Sequence, residues 1–196
     1  MKNTFSSKLI SIICALCALS VVLEEADAPF DSIYSTLFVI GTLLLATSLE
    51  TTKFKPFVLI PGCFLFAIAE IICGATNGDF FFLPSSNCIF CGVLHAVAGI
   101  VLLLISILKC KRKKDGLSIA VSAALLSFIV YAFNAAINLF VGNEVARDVR
   151  LWTMTVVFCF LSYSFWDFYM TEKNRAVEQD GLKEEDKNSK DNTGKV

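Results

Sequence analysis

A single histidine, His95, is all the chain has, and one imidazole cannot build the polyhistidine metal sites of membrane desaturases and many membrane hydrolases. There is no Walker loop, no HExxH and no GxSxG elbow, so the signatures of phosphate cradles, zinc proteases and serine hydrolases are missing. Charge is scarce over most of the length. Of 35 charged residues, 13 fall in the last 26, leaving 22 for the first 170. A bilayer imposes such segregation, because a charge at its centre costs several kcal/mol. Period-two alternation is absent too, which argues against a transmembrane barrel.

What is present is apolar. Hydrophobic residues make up 56% of the 196, and mean hydropathy is +0.67. Six runs reach or approach the ~17–25 residues needed to span a membrane: residues 9–23, 33–49, 57–74, 88–108, 117–141 and 151–170. The fold class read from this is all-α, a polytopic transmembrane helix bundle over residues 1–170. The connections are short, so sequence neighbours should be antiparallel neighbours. From residue 171 to 196 there are seven acids, six bases and almost nothing apolar. Such a segment buries too little to offset its ordering entropy and is expected to be a disordered cytoplasmic tail.

Lysine and arginine set the orientation. With the N-terminus inside, inner segments carry 11 basic residues, against Arg147 and Arg150 outside. The outer loops hold Glu24, Glu25, Asp27, Asp31, Asp79, Glu144 and Asp148 instead. Both termini should therefore be cytoplasmic, in a cell or inner membrane. A cleaved signal peptide stays open for residues 1–28, given Lys2, Lys8, an apolar stretch and Ala26-Asp27-Ala28. The basic run Lys109–Lys114 reads as a topological anchor touching anionic lipid headgroups, and no nucleic-acid partner is implied. At this size six helices enclose only a small cavity, which leaves room for a homo-oligomer.

Inside the runs, polar residues fall on single faces. Leu59, Cys63, Phe66, Glu70 and Cys73 form one stripe. Cys88, Cys91 and His95 share a face of the fourth run with Gly92, Ala96 and Gly99, opposite Val93, Val97, Ile100 and Leu104. The fifth run aligns Ala120, Ala124, Ser127, Tyr131, Asn134 and Asn138. At ~1.5 Å rise per residue, Glu70, His95, Asn134 and Asn138 lie roughly 5–10 Å from the outer ends of their helices. Four polar side chains at one level predict a pocket in the outer half of the bundle. These four are the candidate ligand-binding residues; packing between helices is the bland alternative for each.

The cysteines divide by depth. Cys14, Cys17, Cys63 and Cys159 read as small hydrophobes, and Cys110 as a candidate palmitoyl acceptor. Cys73, Cys88 and Cys91 lie near the outer surface, where a Cys73–Cys88 or Cys73–Cys91 disulfide could persist. With His95 and Glu70 they are also weak candidates for zinc or copper, although no cofactor is called for. Cys88-Ile-Phe-Cys91 at a helix start is the arrangement that lowers thiolate pKa in disulfide oxidoreductases. It resembles the active-site pair of the vitamin K epoxide reductase family, which likewise opens a transmembrane helix. That family also uses a shuttle cysteine pair in an earlier outer loop. The loop Glu24–Asp31 has none, and the chain is not assigned to the family.

Three functions follow as expectations. The first is non-enzymatic: binding or transport of a small solute, ion or lipid through the outer pocket. The second is thiol oxidoreduction at Cys88 and Cys91. The third is a non-catalytic helper subunit whose tail docks a partner.

Overall fold

Apolar helices with small residues on one face pack by letting backbones approach, and this chain is built on that rule. A computed structural model describes residues 4–24, 33–50, 55–78, 80–108, 113–141 and 145–193. They form six α-helices: α1 (Thr4–Glu24), α2 (Ile33–Glu50), α3 (Lys55–Ala75), α4 (Ser85–Leu108), α5 (Lys113–Val141) and α6 (Val145–Thr193). Each helix packs on its sequence neighbour. Contacts of α1 and α2 with α6 close the ring. Four helices carry stretches long and apolar enough to cross a membrane: Pro56–Ala75, Ser85–Ile107, Asp115–Phe140 and Val149–Arg175. The apolar stretches of α1 and α2, Lys8–Leu23 and Ile33–Leu49, are shorter.

The hairpin of α3 and α4 is the tightest pairing. A methyl group added at Gly74 would meet Ser85 O at 2.7 Å, one at Gly92 would meet Ala67 O at 2.9 Å, and one at Gly99 would meet Cys63 Cβ at 3.2 Å. Position 74 thus faces 85–89, 67–71 faces 92, and 63 faces 99, so the two helices run antiparallel. The wheel division of α4 holds. Cys88, Cys91, Gly92, His95 and Gly99 are buried, while Val93, Val97, Ile100 and Leu104 are 37–49% exposed, as lipid-facing aliphatics should be. On α3 the whole stripe from Leu59 to Cys73 is buried.

Local chemistry ends α3. Asn77 adopts φ 53°, Gly78 N–H donates to Cys73 O at 2.8 Å, and Asn77 N–H donates to Gly74 O at 3.3 Å. This is the Schellman arrangement with asparagine in the left-handed position, where its short polar side chain is tolerated. Past the loop, α4 begins behind Pro84, whose carbonyl accepts from the N–H groups of Asn87 and Cys88. Between them the loop turns inward. Phe80 and Phe81 are buried, and Phe81 packs edge-on against Phe38 at 5.9 Å and Tyr131 at 6.4 Å. The Arg150 guanidinium lies 5.5 Å from the ring centres of both Phe80 and Phe82.

Hydroxyls in α2 behave as the membrane setting predicts: Thr42 donates to Phe38 O and Ser48 to Leu45 O, bonding their own helix. The tail departs from expectation. Residues 171–193 continue α6 as helix, where composition predicted disorder. The segment holds four Glu and four Lys, good helix formers, has no proline, and opens with an Arg175–Glu172 pair at 2.7 Å. Starting from a formed helix it needs no new nucleus, so weak propensity suffices to extend it. Lys109–Arg112 and loop residues 25–32 fall outside the described residues, as do the cleavage motif and Cys110.

Candidate functional site

A carboxyl group in an apolar interior must find a partner or stay neutral. Glu70, on α3 one turn before Cys73, finds two. Its Oε2 lies 2.6 Å from His95 Nδ1 on α4, and its Oε1 accepts the Tyr131 hydroxyl of α5 at 2.9 Å. All three side chains are fully buried. Three consecutive helices thereby converge on one carboxyl. Gly92 makes this geometry attainable: its missing side chain is what lets α4 come against Ala67, Glu70 and Ile71.

Aromatic rings wall the site. The imidazole stacks on Phe158 of α6, with centroids 4.7 Å apart and planes 26° apart, and Phe66 lies at 6.0 Å. The Tyr131 ring rests on the same Phe158 at 4.5 Å. Phe81 covers Tyr131 from the loop. Polar groups with no water to serve them are thus held by one another, which strengthens each hydrogen bond and makes an unpaired one costly.

One polar atom is left over. His95 Nε2 is buried with no hydrogen-bond partner among the described residues. The proton count gives that atom its chemistry. If the pair is ionised, the imidazolium carries N–H at both nitrogens. If it is neutral, Glu70 O–H donates to Nδ1 and the ring proton must sit on Nε2. In both net-neutral forms Nε2 presents a proton. Its loss leaves the site with one negative charge. A second buried atom, Ser127 Oγ, one turn before Tyr131, lies against the Cys91 thiol without a well-formed hydrogen bond.

Of the four residues expected to bind a ligand, the structure joins Glu70 and His95. Asn134 and Asn138 are elsewhere engaged: Asn134 Nδ2 donates to Val130 O at 2.8 Å and Asn138 Nδ2 to Asn134 O at 2.9 Å, both on their own helix. Tyr131, one turn before Asn134 on the same stripe, is the member the sequence reading passed over. A hydroxyl on the inner face of an apolar run was the available signal, since such a group needs an acceptor.

The thiols are in two sets. Cys88 lies beside Cys73, whereas Cys91 lies beside Ser127 of α5. All seven described cysteines are thiols, with no disulfide among them. No group of three or more His, Cys, Asp or Glu side chains among the described residues is gathered to hold a metal.

The hydroxyl of Tyr131 offers a modest test of this geometry. Tyr131→Phe removes one interhelical hydrogen bond and should cost about 0.6–2 kcal/mol, the range for such bonds in membranes. Thermal unfolding in detergent measures it; a variant as stable as the parent would show that the bond contributes nothing. Comparison of the chain with protein-family models, with characterised proteins and with solved structures finds no match.

Proposed function

We propose that this is a multi-pass membrane protein that binds or moves a small solute or ion through the bundle, exchanging a proton at Glu70 and His95. The observation that carries the reading is the fully buried carboxyl–imidazole contact of 2.6 Å. Ionisable groups inside membrane bundles are expensive and concentrate along ion and proton pathways. His95 Nε2 is the open end of the chain Tyr131–Glu70–His95, and a species bearing an acceptor would complete it. The bound species is small, because the aromatic walls leave the site closed to solvent. Asn134 and Asn138, both half-buried, line the route toward the outer surface in this reading. With both termini cytoplasmic, Lys109–Lys114 meets anionic lipid on the inner face. A homo-oligomer is compatible with six helices of this size.

A second reading is favoured by the same contact: a structural staple joining α3, α4 and α5 with no transport. Glu70→Gln separates the two. Glutamine still accepts from Tyr131 and reaches His95, so the fold should persist, but it cannot carry a proton. The assay uses proteoliposomes enclosing a pH-sensitive dye. They are challenged with a pH step and then with amino acids, sugars, carboxylic acids and alkali cations. The parent should give a dye response to at least one challenge, and Glu70→Gln should abolish it. A silent parent, or a Glu70→Gln variant as active as the parent, would sink the transport reading and leave the staple.

A further inference from the structure

We propose that Cys73 and Cys88 are a redox-active pair which, when oxidised, bonds the outer end of α3 to the start of α4. The pair is independent of the proton-exchange reading.

Placement carries the idea. Cys73 lies in the last turn of α3 and Cys88 in the first turns of α4, with 14 residues between them. Their thiols are neighbours. The helices approach closely at this point, since a Cβ at Gly74, the residue after Cys73, would lie 3.1 Å from Cys88 Cβ. Each thiol is also held to the connecting loop: Cys73 Sγ donates to Gly78 O at 3.1 Å, and Cys88 Sγ to Leu83 O at 3.8 Å. A disulfide needs Cβ atoms ~3.5–4.5 Å apart, a separation set by the two backbones, and the backbones approach closely here because position 74, next to Cys73, has no side chain.

The same geometry disfavours the CxxC pair. Cys88 and Cys91 are both inside α4, where residues three apart hold their Cβ atoms ~5–6 Å apart. Bonding them would require unwinding the first turn. Cys91 moreover points to Ser127 on α5.

The oxidant is a disulfide, and the step is thiol–disulfide exchange. One cysteine thiolate attacks RSSR, forming a mixed disulfide and expelling one RS⁻. The second cysteine thiolate then attacks the protein sulfur of that bond and expels the other. Two protein thiols give up two electrons and two protons, and RSSR becomes two RSH. Both thiols are fully buried under a loop whose Phe82 sits at φ 50°, a conformation strained for a bulky residue. Oxidation requires this loop to move aside and admit the oxidant.

The full-length protein in detergent, first reduced, is incubated with oxidised glutathione, and its intact mass and unreduced peptides are measured. The expected result is a loss of about 2 Da and a peptide pair joined through Cys73 and Cys88. Cys91→Ser should keep that loss, and Cys73→Ser should remove it. A Cys88–Cys91 link, a stable glutathione adduct in place of the loss, or no change in mass would each overturn the proposal.

Discussion

Replacing His95 by leucine should lower stability by about 3–5 kcal/mol, the scale for removing one partner of a buried pair. Leucine fills much of the imidazole volume against Phe158, so little of the loss comes from a cavity. The remainder is electrostatic: Glu70, now facing an alkyl group, either keeps a charge in the apolar interior or takes up a proton to become neutral. Adding Glu70→Gln to His95→Leu removes that charge while the side-chain carbonyl still accepts from Tyr131. The double variant should regain most of what the single one lost. Apolar replacement of a whole buried pair is commonly near neutral, which is why recovery is expected in the double variant. Unfolding by thermal ramp or denaturing detergent, run on the parent, both singles and the double, gives the coupling. A double variant whose loss equals the sum of the two single losses would mean that the 2.6 Å contact carries no coupling, and both the staple and the proton-exchange readings would lose their foundation. Neither variant should exchange protons, so stability and activity part company in the double.

The architecture was legible because membrane helices declare themselves by length and by the side their small residues take. Gly92 and Gly99 beside Cys88, Cys91 and His95 marked the inner face of α4, and the burial pattern follows it. Glu70 and His95 were legible from their shared depth. Their level did not reveal how each group is satisfied. Asn134 and Asn138 occur at the same level, yet an amide on a helix reaches the carbonyl four residues back without leaving its own backbone. A phenol cannot bond its own helix in that way, so Tyr131 needs a partner elsewhere, and that difference in reach is the cue the sequence carries. The tail differs from its composition for another reason. Composition reports whether a segment can bury a core, whereas residues 171–193 prolong a helix that already exists. The loop between α3 and α4 lays Phe80 against Phe38 and Phe81 against Tyr131, an inward fold that the apolar run of phenylalanines does not by itself distinguish from a place at the membrane interface.

Gly92→Val should be more disruptive than any change to the exposed face of α4. Its added Cβ alone would lie 2.7 Å from Ile71 Cγ1, 2.9 Å from Ala67 O and 3.2 Å from Glu70 Cβ. Ile71 can rotate away; a backbone carbonyl cannot, and it is fixed in the ladder of α3. The helices must therefore separate, and Glu70 and His95 separate with them, since both project from the surfaces that Gly92 brings together. Overpacking of this kind costs about 1–3 kcal/mol by itself, and loss of the carboxyl–imidazole contact adds to it. Val97→Ile, on the same helix but 37% exposed and facing outward, supplies a control of equal chemical modesty and should be within about 0.5 kcal/mol of the parent. Gly92→Ala should fall between them, its single methyl meeting the same carbonyl. The decisive readout is a double-mutant comparison: in a Glu70→Gln/His95→Leu background the separation of α3 and α4 breaks no buried pair, so Gly92→Ala should cost less there than in the parent. Equal cost in both backgrounds would mean that Gly92 only packs, and that the close approach of α3 and α4 does not serve the pair.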